Sequence, residues 1–223
     1  MECMLLNVSV LTSSGYGISE ACAHAGANVA MVYHNHPDVE KVAEDLAKAT
    51  GRTIKPYKCD VSNAEVVLET VKKISQEMGE ITGLAANAGV SRVKPALEMT
   101  TDDFNFVFGV NVLGVFNTCR AVAQHWVDTG FKKGSIVVTS SMSSEIYNQK
   151  FLNEPLTQVF YNSSKGAATS MVKGLAAEWA KYGIRVNALE PGFCDTEQTS
   201  GMDPKIREWQ ASSVPVSYTH LRA

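Results

Sequence analysis

The segment Val8-Ser-Val-Leu11-Thr12-Ser-Ser-Gly15-Tyr-Gly17-Ile18 opens the pattern that decides the fold. Its apolar, β-branched start predicts a strand over residues 8–11, and the turn that follows leads into a helical pattern. Backbone N–H groups at a helix start have no partner inside the helix, and the helix dipole adds to their attraction for anions. Gly15, Gly17 and Ile18 are therefore candidate contacts for a pyrophosphate, although glycines at such a turn are about as often plain turn residues.

The same alternation of strand and helix runs along the whole chain. Strands are predicted at residues 8–11, 28–33, 53–58, 81–86, 135–140 and 184–189, and helices at 18–25, 39–49, 64–78, 102–127, with a break near Gly109, and 161–182. This alternation is typical of an α/β fold with a doubly wound parallel sheet. Pro56 lacks a backbone N–H, which places the third strand at a sheet edge and favours the order 3-2-1-4-5-6. We expect one domain over residues 1–215.

Several helix ends are also predicted. Ser62-Asn-Ala-Glu65 reads as a capping box at the start of the third helix. Four glycines stand where a left-handed residue would end a helix or its last turn, namely Gly26, Gly51, Gly79 and Gly183.

Composition narrows the classes of ligand. The 20 Lys and Arg against 23 Asp and Glu give a formal charge of −3, which offers no basic field for nucleic acid or anionic lipid. The five cysteines form no Cys-x-x-Cys pair, and no apolar run approaches the length of a bilayer span. We expect a cytoplasmic protein with reduced thiols, a small-molecule ligand, and neither nucleic acid nor membrane as partner.

The end of the second predicted strand bears on the choice of cofactor. It reads Val32-Tyr33-His34-Asn35-His36, without the Asp or Glu that binds the ribose hydroxyls of NAD. A 2′-phosphate would meet no repulsion there, which favours NADP. His34 and His36 alone do not indicate a metal, because two histidines without a third ligand are more often loop residues. We expect no metal site.

Polar residues follow the third and fourth predicted strands, at the sheet edge where ligands of open α/β folds bind. Asp60 and Val61 come after the third strand, and Asn87-Ala88-Gly89 follows the fourth. Asp60 is placed to accept a hydrogen bond from an adenine amino group, and a local turn or cap is an equally good interpretation. An ordinary left-handed turn is the alternative for residues 87–89.

The strongest candidates for chemistry are Ser141, after the fifth strand, and the pair Tyr161 and Lys165. The pair is four residues apart and shares one helix face. An adjacent ammonium favours the ionised form of a phenol, so we expect Lys165 to lower the pKa of Tyr161 into a catalytic range. Ser141 can hydrogen-bond a substrate oxygen, and Asn111 can join a proton-relay path from Lys165.

With these residues assembled, the chain resembles the short-chain dehydrogenase/reductase family over residues 12–213. The resemblance implies a single Rossmann-like domain, a homodimer or homotetramer, and an oxidoreductase with Asn111, Ser141, Tyr161 and Lys165 as catalytic residues. It also implies NADP as cofactor. The implied cofactor contacts are Gly15, Gly17, Ile18, Asp60, Val61, Asn87, Ala88, Gly89, Tyr161, Lys165, Pro191, Gly192 and Thr196.

Within that family the chain is most similar to fungal NADP-dependent polyol dehydrogenases of the mannitol dehydrogenase and sorbose or xylulose reductase type. One cue is the long stretch of residues 142–160 between Ser141 and Tyr161. Its Asn148, Gln149, Asn153 and Gln158 can meet sugar hydroxyls or simply face solvent. The implied activity interconverts a ketose, or another small carbonyl, and its alcohol. The alternatives are a reductase of another carbonyl such as a 3-oxoacyl thioester, and a non-catalytic nucleotide-binding scaffold.

Two stretches depart from the family pattern. The family's phosphate-binding turn reads Thr-Gly-x-x-x-Gly-x-Gly. When its last glycine is aligned with Gly17, Val10 and Leu11 occupy the positions of Thr and the first Gly. In the alternative alignment Thr12 is the motif Thr and the loop is shorter. Residues 216–223 resemble no part of the family and look like a translated sequencing adapter. We therefore expect a non-native tail, a C-terminally truncated domain, and low stability and activity of the chain as written.

Overall fold

The sheet has six parallel strands in the predicted order. The computed structural model describes residues 3–7, 14–151, 153–194 and 203–212. The strands are β1 (Cys3–Asn7), β2 (Asn28–Tyr33), β3 (Ile54–Lys58), β4 (Ile81–Ala86), β5 (Ser135–Thr139) and, after a small hairpin, β8 (Arg185–Leu189). The order is β3-β2-β1-β4-β5-β8. Pro56 lies in the edge strand β3, as its missing donor requires.

The first strand lies earlier in the chain than predicted. Cys3–Asn7 pairs with both β2 and β4, whereas the strand predicted over residues 8–11 falls outside the described residues. Propensity pointed to β-branched Val8 and Val10 and gave no signal for Cys3–Asn7, which forms a strand by pairing with β2 and β4.

Helices cover both faces of the sheet. They are α1 (Ser14–His24), α2 (Val39–Thr50), α3 (Ala64–Met78), α4 (Thr101–Phe108), α5 (Val115–Thr129), α6 (Val159–Trp179) and α7 (Pro204–Ser212). One apolar cluster joins the sheet to α3, α5 and α6, and a smaller cluster joins it to α1 and α2. The sheet is thus packed on both sides, as a doubly wound fold requires.

The helix ends predicted at four glycines are confirmed, whereas the predicted cap of α3 is not. Gly26, Gly51, Gly79 and Gly183 all have positive φ. The predicted capping box at α3 is wrong, because the N-cap is Asn63, whose side chain accepts from the N–H groups of Glu65 and Val66. Ser62 instead donates its hydroxyl to Asp60. An asparagine one position later competes successfully for the same orphan donors.

The break predicted near Gly109 is a π-helical segment, Gly109–Gly114, between α4 and α5. Together these residues form one helix, Thr101–Thr129, that is long and apolar enough to cross a membrane, which the sequence reading missed. In its most apolar window 56% is buried inside the fold, and Val122 and Trp126 lie in the core. That burial is typical of a core helix.

Two small elements complete the carboxyl side of the sheet. The strands β6 (Gln149–Phe151) and β7 (Glu154–Pro155) form an antiparallel hairpin between β5 and α6. Helix α7 packs against β6, with Trp209 edge-on to Phe151. These elements stand beside the end of β5, where Ser141 lies.

Candidate active site

A cavity of about 390 Å³ opens at the carboxyl ends of the central strands. This is the edge at which ligands of open α/β sheets bind. It is lined by the end of β4, the turn after β5, the start of α6 and the loop after β8. Among the residues predicted from the sequence, Asn87, Gly89, Ser141, Tyr161, Lys165, Pro191 and Gly192 line it.

Ser141 and Tyr161 bring two hydroxyl groups together in this cavity. Ser141 follows β5 in extended conformation, and Tyr161 lies in the first turn of α6. Both side chains line the cavity, and Ser141 is close enough to Tyr161 to favour the ionised form of its phenol. Ser141 Oγ also accepts a 3.1 Å bond from the backbone N–H of Ser143, which fixes the position of the hydroxyl. Two convergent hydroxyls of this kind can hold one carbonyl or alcohol oxygen.

The pKa of Tyr161 departs from the sequence expectation. Burial raises it above its ordinary value, the Ser141 side chain opposes that rise, and Cys194 adds to it. The expected lowering by Lys165 is therefore wrong for this structure. Desolvation disfavours the phenolate more than the nearby groups favour it, so the side chain remains a phenol at neutral pH.

Lys165 is buried, with only 4% of its surface exposed. Its Nζ donates a 2.7 Å hydrogen bond to the backbone oxygen of Thr139, at the end of β5. Burial lowers the pKa of this ammonium to about 8. Lys165 is thus a cation held in the cavity wall at a pKa close to physiological pH, a property that recurs at functional sites.

Asn111 lies in the π-helical segment and is buried. Its Nδ2 donates to the backbone oxygen of Val90 and to Ser164 Oγ, both at 2.9 Å, and its Oδ1 accepts from Val90 N at 2.8 Å. The carboxamide therefore ties the loop after β4 to α6. A Cβ on Gly89 would lie 3.5 Å from both Asn111 Oδ1 and Lys165 Nζ, so the relay partners predicted from the sequence flank this glycine.

The predicted phosphate turn adjoins the cavity. Helix α1 begins at Ser14, whose hydroxyl donates to Asn87 Oδ1 at 3.3 Å, so Gly15, Gly17 and Ile18 lie in its first turns. A second cavity of about 500 Å³ runs beside α1 and shares Ser14 with the first. The first turn of α1 carries no acidic residue, so no carboxylate competes with an anion there.

The ends of β2 and β3 meet on the far side of α1. Asp60 Oδ1 accepts bonds from the N–H and the hydroxyl of Ser62, which lower the pKa of this carboxyl, and His34 Nε2 lies 4.0 Å from its Oδ2. Asp60 thus stabilises a local turn through Oδ1, and its side chain stays half-exposed beside His34. Val61 is buried, and its backbone oxygen accepts from Asn117.

The loop after β8 returns to the Ser141 turn. The backbone oxygen of Pro191 accepts a 3.0 Å bond from Met142 N, and a Cβ on Gly192 would lie 3.5 Å from Met142 Sδ. Thr196, the remaining predicted cofactor contact, lies outside the described residues.

The polar side chains of residues 142–160 divide into two groups. Asn148 and Gln158 are buried and line the cavity, whereas Gln149 is only partly buried and Asn153 is exposed with a φ of 60°. Further lining residues that we did not single out from the sequence are Ser143, Phe193, Cys194 and Gln210. Phe193 and Cys194 directly follow Pro191-Gly192, but nothing in the sequence marks Gln210 on α7.

The sheet order and the gathering of Ser141, Tyr161 and Lys165 beside the start of α1 define a Rossmann-like oxidoreductase. Comparison of sequences then identifies the family. Residues 10–220 match a short-chain alcohol dehydrogenase model described as enoyl-(acyl carrier protein) reductase. The chain belongs to the short-chain dehydrogenase/reductase family, and it is an oxidoreductase by that membership.

Named relatives agree with this assignment. The chain is 34% identical over 200 residues to a sorbose reductase of Candida albicans, covering 88% of this chain and 68% of the relative. It is 32% identical over 206 residues to an NADP-dependent mannitol dehydrogenase of Alternaria alternata, covering 92% and 74%. Both relatives exceed this chain in length, and both are named as carbohydrate oxidoreductases.

Solved structures show the same fold. A short-chain type dehydrogenase/reductase from Mycobacterium marinum superposes with a TM-score of 0.85 at 30% identity, covering 97% of this chain and 81% of that one. A gluconate 5-dehydrogenase from Burkholderia cenocepacia, in complex with NADP and tartrate, gives 0.84 at 27% identity, covering 97% and 82%.

Proposed function

We propose that this protein is an NADP(H)-dependent oxidoreductase that interconverts a ketose and its polyol. The observation that carries the proposal is the cavity that is lined by the hydroxyls of Ser141 and Tyr161 and by the buried amides Asn148 and Gln158. Amide side chains at this depth suit a substrate rich in hydroxyl groups. The named relatives that act on sorbose and mannitol support the same substrate class.

The residues present fit a nicotinamide dinucleotide. The start of α1 offers backbone donors beside a cavity large enough for a ligand, with no acid in its first turn. We assign Gly15, Gly17 and Ile18 to the pyrophosphate, Asp60 and Val61 to the adenine end, and residues 87–89 to the centre of the molecule. Lys165, Pro191, Gly192 and Thr196 would meet the nicotinamide half. The bound cofactor supplies or accepts the hydride.

The protein's own residues bind and protonate the reacting oxygen. In the reductive direction Ser141 and Tyr161 hold the carbonyl oxygen, and the Tyr161 phenol donates its proton to that oxygen as the carbon gains a hydride. The raised pKa of Tyr161 keeps that proton in place at neutral pH. Lys165 Nζ lies 5.6 Å from the centre of the Tyr161 ring, so a positive charge stands near the phenolate that remains. Asn111 holds the adjoining backbone against α6.

A 3-oxoacyl thioester is the second candidate substrate, because the matching family model is described as an enoyl-(acyl carrier protein) reductase, which acts on an acyl thioester. NADPH oxidation separates the two candidates. We expect fructose, sorbose, xylulose and ribulose to be reduced with higher kcat/KM than acetoacetyl thioesters. A clear preference for thioesters would replace the proposed substrate class, and tight NADPH binding without turnover of any carbonyl would favour a non-catalytic nucleotide-binding protein.

A further inference from the structure

Asn148 occupies a fixed position in the cavity wall. Its backbone oxygen accepts a 2.8 Å bond from Leu156 N, which closes the β6–β7 hairpin on the side of the cavity. Its side chain is 8% exposed and lines the same cavity as Ser141 and Tyr161. The hairpin thus holds this amide in place rather than leaving it on a free loop.

The amide is linked to the catalytic hydroxyls through one serine. Asn148 Nδ2 donates a 2.7 Å bond to Ser143 Oγ, and Ser141 Oγ donates to the same oxygen at 3.1 Å. Asn148 therefore stands two hydrogen bonds from Ser141.

The oxygen atom of the Asn148 side chain carries the inference. Asn148 Oδ1 is buried, and it has no hydrogen-bond partner among the described residues. Buried carbonyl oxygens in native proteins nearly always accept a hydrogen bond, and an exception requires an explanation. An orphaned acceptor in the wall of a substrate cavity is satisfied when the ligand brings a donor.

We infer that Asn148 determines specificity by accepting, at Oδ1, a hydrogen bond from a hydroxyl on the carbon next to the reacting carbon. The inference rests on the proposed function and names the side chain that would recognise the α-hydroxyl group common to all ketoses. A simple ketone or a 3-oxoacyl thioester has no donor at that position. Such a substrate would leave the buried acceptor unsatisfied, and sites built in this way discriminate strongly against analogues without the hydroxyl.

Hydroxyacetone and 2-butanone test the inference, because they differ by a hydroxyl in place of a methyl group. NADPH oxidation by the wild-type chain should favour hydroxyacetone. Asn148→Leu, which keeps the branched shape of the side chain and removes the acceptor, should lower kcat/KM for hydroxyacetone by about tenfold or more, mainly through KM. The value for 2-butanone should change by less than about threefold, so that the preference collapses.

The matched control is Gln149→Leu, the same substitution one residue along the hairpin and outside the cavity lining, which should keep the preference. Thermal melts and NADPH titration check that each variant is folded. If Asn148→Leu does not fold, Asn148→Ala serves as the second variant and should lower the preference in the same direction. An unchanged preference in a folded variant overturns the inference alone. A wild-type chain that is folded and binds NADPH but reduces no ketose or ketone overturns the proposed function, and the inference with it.

Discussion

The Nζ atom of Lys165 lies 5.6 Å from the centroid of the Tyr161 ring, while its hydrogen bond is directed to the backbone oxygen of Thr139. The helix spacing thus brings cation and ring together without an ion pair to the phenol oxygen. A cation at this distance from a ring face is favourable, but its effect on the hydroxyl is weaker than that of burial. Tyr161 is consequently poised as a proton donor rather than as a phenolate.

Tyr161→Phe should reduce turnover about a hundredfold or more, because it removes the proton donor with little change in cavity shape. NADPH affinity should stay close to that of wild type. Steady-state reduction of the preferred ketose and a fluorescence titration with NADPH measure the two quantities. Tyr147→Phe, at a tyrosine that is 65% exposed, makes the same chemical change outside the cavity and should leave both unchanged. Retention of more than about a tenth of wild-type turnover by Tyr161→Phe would contradict the assigned role.

Lys165 should make stability depend on pH in a window set by its two pKa values. The folded pKa is about 8 and the ordinary value is 10.5, so between these limits the unfolded chain binds more protons than the folded chain. The free energy of unfolding must then rise with pH across that window, and the burial penalty present below pH 8 is relieved. Because each pKa unit corresponds to about 1.4 kcal/mol, the full change in the free energy of unfolding is about 3 kcal/mol.

Urea denaturation of wild type and Lys165→Met at several pH values isolates this contribution. All other titratable groups are common to both chains, so the difference between the two chains reports Lys165. We expect wild type to gain stability relative to Lys165→Met as pH rises from about 8 toward about 10.5. A difference that stays constant or falls would show that Lys165 keeps an ordinary pKa in the folded chain.

The sheet order was predictable because it depends on features that are local in the sequence. Pro56 marks an edge strand by its missing donor, and alternating apolar runs mark parallel strands. The position of β1 was not predictable from propensity, since Cys3–Asn7 becomes a strand through pairing with β2 and β4. The predicted cap of α3 failed because Ser62 and Asn63 compete for the same donors, and Ser62 is engaged by a hydrogen bond to Asp60, two residues earlier.

Some features of the candidate site could likewise be predicted from the sequence, and others could not. Ser141, Tyr161 and Lys165 could be found from strand ends and helix spacing. The pKa of Tyr161 could not, because its direction depends on how much of the side chain is buried. Neither could the distinction between Asn148 and Gln149, which are neighbours in sequence but differ in burial because the hairpin turns one toward the cavity.

Replacement of His34 should change the choice of cofactor. The wild-type chain should bind NADPH more tightly than NADH, because no acidic side chain ends β2. His34→Asp adds a carboxylate beside Asp60, whose Oδ2 lies 4.0 Å from the His34 ring. Repulsion of the 2′-phosphate should raise the Kd for NADPH about tenfold or more, and the Kd for NADH should stay the same or fall. Fluorescence titration with both cofactors measures this, and equal losses for both would show that β2 does not face the ribose.

Substitution of Gly114 tests the packing around Val61. A Cβ at Gly114 would lie 2.6 Å from Val61 Cγ2, closer than two carbon atoms can approach without displacement. Gly109, at the other end of the same π-helical segment, has nothing within 4 Å of such a Cβ. The two glycines therefore form a matched pair, alike in helical conformation and different in the space around them.

Gly114→Ala should lower the free energy of unfolding by about 1–3 kcal/mol, because the new methyl group must displace buried Val61. Gly109→Ala should be neutral or stabilising by up to about 1 kcal/mol, since alanine favours helix. Val61→Ala combined with Gly114→Ala makes room for the methyl group, so the double variant should be more stable than the sum of the two single losses predicts. Urea denaturation of the four chains measures this coupling. Strict additivity, or equal stability of Gly114→Ala and Gly109→Ala, would show that Val61 yields without cost and does not hold the π-helical segment in place against β3.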